Sequence, residues 1–428
     1  MRSSSASREL DVHLNRNVRG LEPSATVAIN ERSNELRRQG WEIYKLGLGQ
    51  SPFPVPQPVV RALQAHAHEK DYLPARGLPA LREAVAAYHR RAQGIDAAAE
   101  RVLVGPGSKE LMFLLQLAYD GELLIPAPSW VSYAPQAHIL GRTVQWIPTE
   151  RRDRWKVNPA RLEAACAADP GRPRLLVLNT PSNPTGAAYD AAELEAIAAV
   201  AARHRVLLLS DEIYGELHHA GGHVSVARFY PEGTIVSAGL SKWCGAGGWR
   251  LGTFLFPPGL DWLAEAMAAI ATETYTSTSA PIQHAAVRAF EGGTEIEAYL
   301  VRSRRVLAAL GTWAARRLRA AGVAVDDPDG GFYLFPDFGP LAERLRERGI
   351  LGARPLCERL LLETGVAALP GVDFGRPRAE LTLRIAYVDF DGAAALAAVD
   401  EGPIDEAWLR ARCGRVVEAI ERICAWVA

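Results

Sequence analysis

Gly239-Leu-Ser-Lys242-Trp-Cys-Gly-Ala-Gly-Gly-Trp-Arg250-Leu-Gly252 follows a short apolar run at 234–236 and sets a lysine and an arginine among glycines. Glycines at such density let a backbone pass close to a ligand. An ammonium is a poor nucleophile until it loses its proton, so a lysine used chemically needs a pocket that lowers its pKa. An arginine fork grips a phosphate through two parallel hydrogen bonds. A solvated Lys and Arg beside a flexible loop is the competing reading of this stretch alone.

Outward from this stretch, short apolar runs at 101–104, 123–125, 143–147, 174–178, 205–210, 234–236 and 252–256 read as strands. Helical patterns separate several of them, 108–118 and the Ala-rich 191–204 most clearly. Uniformly apolar strands spaced by helices predict an α/β fold whose mostly parallel sheet is covered on both faces. Chemistry in such sheets gathers in loops at the carboxyl ends of strands. Past residue 294 the pattern changes to a long helix (295–320), the segment GGFYLF, more helix, a strand at 381–387 and an amphipathic C-terminal helix. The spacing predicts an N-terminal arm and helix (1–45, the helix from Ser24 to about Gly40), a large domain (46–293) and a smaller α+β domain (294–428) that the N-terminal helix completes.

Bulk properties narrow the function. Lys plus Arg number 48 and Asp plus Glu 49, a net charge of −1, so nothing attracts nucleic acid or an anionic membrane. Residues 1–20 are polar and arginine-bearing, unlike a secretory signal. No apolar run is long enough to span a bilayer. The five scattered cysteines form neither a CxxC pair nor a disulfide framework, which points to a reducing cytoplasm. Histidines are not clustered at metal-ligand spacing, and adjacent His218 and His219 would point to opposite faces of a strand. No metal is expected.

Further segments have a local rationale for chemistry. Val104-Gly-Pro-Gly107-Ser108-Lys109 joins a strand to a helix whose N-terminus suits a phosphate, or is an ordinary capped turn. Asn179-Thr-Pro-Ser-Asn183-Pro-Thr-Gly186 is a proline-bracketed turn that aims an amide inward. Leu207-Leu-Leu-Ser-Asp211-Glu-Ile-Tyr214 ends an apolar strand in a carboxylate, which needs a cation or strong hydrogen bonds if buried; a helix cap is the alternative. Thr382-Leu-Arg384-Ile-Ala-Tyr387 puts an arginine among apolar neighbours, where it wants a carboxylate.

Together these segments, in this order, resemble the class I and II aminotransferases of fold type I, from Gly49 to Tyr387. The resemblance implies pyridoxal 5'-phosphate (PLP) held by Lys242 as a Schiff base. It assigns the cofactor phosphate to Gly107, Ser108, Lys109, Ser241 and Arg250, and ring stacking to Trp130. Asp211 would pair with the ring nitrogen, Tyr214 and Asn183 with the ring oxygen. Arg384 and Asn183, with the backbone amide of Gly49, would take the substrate carboxylate. Tyr72 would reach the phosphate of a neighbouring subunit, implying a homodimer with shared sites. The implied reaction moves the α-amino group between an L-amino acid and a 2-oxo acid in two half-reactions, with Lys242 as acid and base.

The chain departs from the pattern in two places. Position 239 is glycine where many relatives have a phosphate-contacting serine. The segment 273–279 lacks the arginine that animal-type aspartate enzymes use for a distal carboxylate, so Tyr275, Thr276 and Phe332 lean towards a neutral or aromatic side chain. A lyase or cyclase on the same cofactor is the alternative reaction. A PLP-sensing transcription regulator would carry an N-terminal DNA-binding domain, and the pattern here leaves no room for one.

Overall fold

The computed structural model describes residues 13–428, so most of the expected N-terminal arm lies outside the described residues. Seven strands form the central sheet: β1 (Val102–Gly105), β2 (Glu122–Ala127), β3 (Val144–Pro148), β4 (Arg174–Asn179), β5 (Leu207–Asp211), β6 (Thr234–Gly239) and β7 (Gly252–Leu255). Their order is β1-β7-β6-β5-β4-β2-β3. All neighbours run parallel except β7, which is antiparallel to both β1 and β6. Every residue of β4, β5 and β6 is buried, as expected where helices cover both faces. The predicted strands sit within one to three residues of these bounds.

Local chemistry explains the intervening helices. Ala191–Arg203 opens with a capping box: Asp190 accepts from Glu193 N at 2.9 Å, and Glu193 accepts from Asp190 N at 2.9 Å. Such a cap stabilises a helix by about 1 kcal/mol. Between β1 and β2, the helix Ser108–Ala118 buries Leu111, Met112, Leu114 and Leu115 against the sheet.

The C-terminal part is built on the 27-residue helix Thr294–Ala320, with acids in its first turn and arginines in its last, matching the helix dipole. A three-stranded antiparallel sheet follows, ordered Leu369–Pro370, Leu383–Ala386, Tyr333–Leu334. The N-terminal helix, Ala25–Arg38, packs Ile29 and Leu36 against Leu361 and Ala367 of this region. The strand Tyr44–Lys45 pairs in parallel with Val366–Ala367. The largest apolar cluster runs without a break from Val104 and Leu240 to Leu310 and Ile420, so the two parts share one core. His218 and His219 lie in no strand run. His218 makes an isolated bridge to Gly330, and the His219 ring is held by the carbonyls of Pro328 and Gly331. Among the described residues no helix is long and apolar enough to cross a membrane.

Candidate active site

The parallel strands β4 and β5 end side by side, with Asn179 opposite Asp211. A cavity of about 430 Å³ opens at these ends, lined by Ser108, Lys109, Trp130, Asn183, Tyr214, Ser241, Lys242 and Arg250 among others. The sequence-predicted residues therefore converge from loops after β1, β2, β4, β5 and β6.

Asp211 forms the floor and is 3 % exposed. The hydrogen bonds to its carboxylate among the described residues come from the Tyr133 hydroxyl, 2.5 Å from Oδ2, and from Ile213 N at 3.4 Å. No α-helix begins here, so the cap reading gives way to a buried carboxylate. Burial pushes its pKa up to about 6, with the Tyr133 bond pulling the other way. A buried carboxylate without a paired cation favours one supplied by a ligand. Tyr133 was missed in the sequence, although Trp130, three residues before it, was named. Tyr133 opens the helix Tyr133–Ile139 just after Trp130, and nothing local marks which ring faces Asp211.

Lys242 donates from Nζ to the carbonyl of Gly49 at 2.8 Å. Burial first, then the positive charge of Arg384, lowers its ammonium to about 8. That meets the requirement for a lysine that reacts as an amine. Gly49, whose amide was expected to meet the substrate carboxylate, turns its carbonyl to the lysine, and a Cβ there would fall 1.9 Å from the Tyr333 hydroxyl.

At the other end, Arg250 takes a left-handed backbone (φ 55°) and bonds the carbonyl of Gly247 at 2.8 Å. Its guanidinium faces Gly107, where φ is +95° and a Cβ would lie 2.2 Å from the arginine. Gly252 abuts Ser108 so tightly that its Cβ would lie 2.2 Å from that backbone N. This glycine-lined approach of Arg250 to a helix N-terminus makes a cradle for a phosphate. Gly239 faces Gly252 across β6 and β7, and its Cβ would stand 2.8 Å from Leu251 O and 3.1 Å from Gly252 Cα. Packing thus accounts for the missing serine.

Arg384 is 1 % exposed between the rings of Tyr333 and Phe374. It donates to Asn183 Oδ1 at 3.1 Å and to the carbonyl of Gly47, and its Nε has no partner. Asn179 orders the turn by accepting from Asn183 N at 2.7 Å. Tyr214 shares a 2.8 Å hydrogen bond with Tyr333, a partner invisible in the sequence. Lys109 points its ammonium over the Trp130 ring, 5.1 Å from the centroid. Burial, then Arg250, lowers its pKa. Beside the site lies a second cavity of about 660 Å³, which shares Lys109 and is walled by the segment from Gly20 to Ala25 and by Phe113.

Tyr72 is 89 % exposed and does not line this chain's own cavity, as a residue directed at a neighbouring subunit would be placed. The segment 273–279 falls elsewhere. Tyr275 bonds the carbonyl of Val104. Tyr275 and Thr276 do not line the cavity either, whereas Phe332 packs its edge on Tyr214, 5.6 Å between centroids. The residues present fit PLP: a cradle for phosphate, an aromatic wall, a floor carboxylate lacking a cation, and a lysine with a lowered pKa.

Comparison with known proteins agrees. The family described as aminotransferase class I and II matches residues 42–397. The aspartate/prephenate aminotransferase of Thermus thermophilus is 35 % identical over 369 residues, 84 % of this chain and 91 % of that protein. The asparagine–oxo-acid transaminase of Streptococcus mutans is 32 % identical, covering 87 % and 94 %. The structure of the T. thermophilus aspartate aminotransferase with maleate superposes with a TM-score of 0.83 at 31 % identity, covering 98 % of this chain and 100 % of that one. Relatives named as transaminases favour amino transfer over elimination or cyclisation. The chain belongs to the class I and II aminotransferases and is a PLP-dependent enzyme that transfers amino groups between amino acids and 2-oxo acids.

Proposed function

We propose that the amino donor is an acidic α-amino acid, aspartate first, and that Lys109 supplies the countercharge for its distal carboxylate. The observation that carries this is the Lys109 ammonium, poised over Trp130 in the cavity that Lys242 lines. Arg250 is engaged at the phosphate cradle and Arg384 beside Asn183, which leaves Lys109 for a second acid group. Relatives named as aspartate aminotransferases support the reading. Only Phe332 of the three residues that suggested a neutral side chain stands near the site, which weakens that lean. The adjoining cavity gives space for acceptors with bulky side chains.

Bound PLP supplies an electron sink for the carbon that carries the amino group. Arg384 grips the substrate α-carboxylate with its fork, and Asn183 orients it. Lys242 takes the α-proton at Nζ and returns it, a role helped by burial that lowers its ammonium to about 8. Asp211, held by Tyr133, would stay ionised against a protonated ring nitrogen. Tyr214 would donate to the ring oxygen, and Trp130 would cover the ring. Ser108, Ser241, Arg250 and the amides of Gly107 and Lys109 would hold the phosphate.

The same reading extends to a homodimer in which the exposed Tyr72 serves the neighbouring site, symmetric dimers being the commonest oligomers. Its compartment is the cytoplasm, consistent with five free cysteines. The divisions at 45/46 and 293/294 mark an N-terminal arm and helix, a large domain and a small domain.

Two variants test the proposal. Lys242→Ala loses both the absorption band of the bound cofactor and turnover; a near-normal rate would refute the role of Lys242. Lys109→Ala lowers kcat/KM for aspartate by roughly 10- to 100-fold while sparing neutral donors. Equal losses for every donor would refute the countercharge.

A further inference from the structure

The segment after the helix Gln57–Ala65 reads His66-Ala-His68-Glu69, and the fold sets it against His284 of the helix Ala280–Glu291. We propose that His66, Glu69 and His284 bind a divalent transition-metal ion, zinc by preference, outside the cofactor cavity. Sequence spacing does not reveal this set, because its members come from distant segments that two packed helices bring together.

Three observations carry the assignment. One ligand atom from each of the three residues lies within 4.8 Å of the other two. Glu69 Oε1 stands 3.6 Å from His66 Nδ1, 3.9 Å from His284 Nε2 and 3.8 Å from His68 Nε2. These separations are too long for hydrogen bonds, so the carboxylate satisfies none of the rings. His66 Nδ1 is shielded from solvent yet has no hydrogen-bond partner, an unusual state for a buried nitrogen.

An ion at the centre resolves all three. Zinc takes nitrogen at about 2.0–2.1 Å and oxygen at about 2.0–2.2 Å, which spaces tetrahedral ligand atoms about 3.4 Å apart. Glu69 is within a few tenths of an ångström of that spacing to His66. The imidazoles of His66 and His284 stack at 4.5 Å and 16°, so both rings must tilt to aim their lone pairs at one point. Neither is locked in the core: their side chains are 40 % and 23 % exposed. Two imidazoles and one carboxylate suit zinc over calcium or magnesium, which prefer oxygen. His68, at the rim, is placed to take the fourth position in competition with water. Binding would fasten the chain just before Tyr72 to the helix Ala280–Glu291.

The test uses untagged, chelator-stripped holoenzyme titrated with zinc chloride in a calorimeter, with magnesium chloride as a parallel arm. The expected result is saturable binding of one zinc per chain and none of magnesium. X-ray absorption of the zinc-loaded protein should report nitrogen and oxygen ligands with imidazole character. Glu69→Gln keeps the stacked rings and the fold while removing one ligand, and should weaken binding by roughly 10-fold or more. His66→Ala/His284→Ala should abolish it. At a zinc concentration that half-saturates the parent, tryptic cleavage at the exposed Lys70 should slow more in the parent than in Glu69→Gln. No saturable binding, or stoichiometric binding that survives the double variant, overturns the proposal.

Discussion

The Tyr133 hydroxyl donates to Asp211 Oδ2 across 2.5 Å, with both side chains buried. The bond favours the ionised carboxylate against the burial that opposes it. Tyr133→Phe should therefore push Asp211 further towards its neutral form. A hydrogen bond to a charged group contributes about 1.5–3 kcal/mol, so PLP affinity should fall roughly 10- to 100-fold. Spectrophotometric titration of cofactor-free protein measures this; unchanged affinity would remove Tyr133 from the account.

Asp211 also sets a pH dependence. Its pKa rises from 3.8 to about 6 on folding. The folded state then holds more protons than the unfolded state across that window, so stability falls as pH rises through it and stays lower above. The loss is about 3 kcal/mol, at about 1.4 kcal/mol per unit. Thermal melts of cofactor-free protein should decline from about pH 4 to about pH 6 relative to Asp211→Asn, which cannot titrate there. Parallel profiles for the two would contradict the shift.

Lys242 behaves in the opposite sense. Its ammonium is lowered from 10.5 to about 8, so the unfolded chain holds a proton that the folded chain has lost between those values. Stability of the cofactor-free protein gains as pH rises across that range. Uptake of PLP needs the neutral amine, so its rate should rise about tenfold per pH unit below about pH 8 and then level. Arg384→Gln removes the second cause of the lowering and should move the bend to higher pH. Stopped-flow absorbance settles it, and a bend that stays put denies the coupling.

Gly239 faces Gly252 where the antiparallel strand leaves no space for a side chain. Gly239→Ser should thus destabilise by about 1–3 kcal/mol through overpacking, without tightening the cofactor. Denaturant melts and a PLP titration are the checks. A stable variant with tighter binding would mean that the missing hydroxyl, not the packing, limits this site.

Arg384 is caged by Tyr333, Phe374 and the Asn183 amide. Arg384→Lys keeps the charge and loses the fork, so kcat/KM for amino donors should drop by about 10- to 100-fold. Cofactor affinity should change far less. Steady-state kinetics beside a PLP titration separates the two, and a matched loss in both would point to a general structural role.

What the sequence determined by itself is the alternation that makes a covered parallel sheet, together with the residues at its carboxyl ends. Asp211, Asn183, Lys242 and Arg250 were legible because the stretches that hold them, each an apolar strand followed by a turn, occur together and in order as the resemblance to the family requires, where each stretch alone kept a plainer reading. Tertiary structure alone decided Tyr133 on Asp211, Tyr214 on Tyr333, the Gly49 carbonyl on Lys242, the Gly239–Gly252 contact and the meeting of His66 with His284. Those pairings arise where helices and strands from distant parts of the chain pack together, and local periodicity records which face is apolar but not which partner that face will meet.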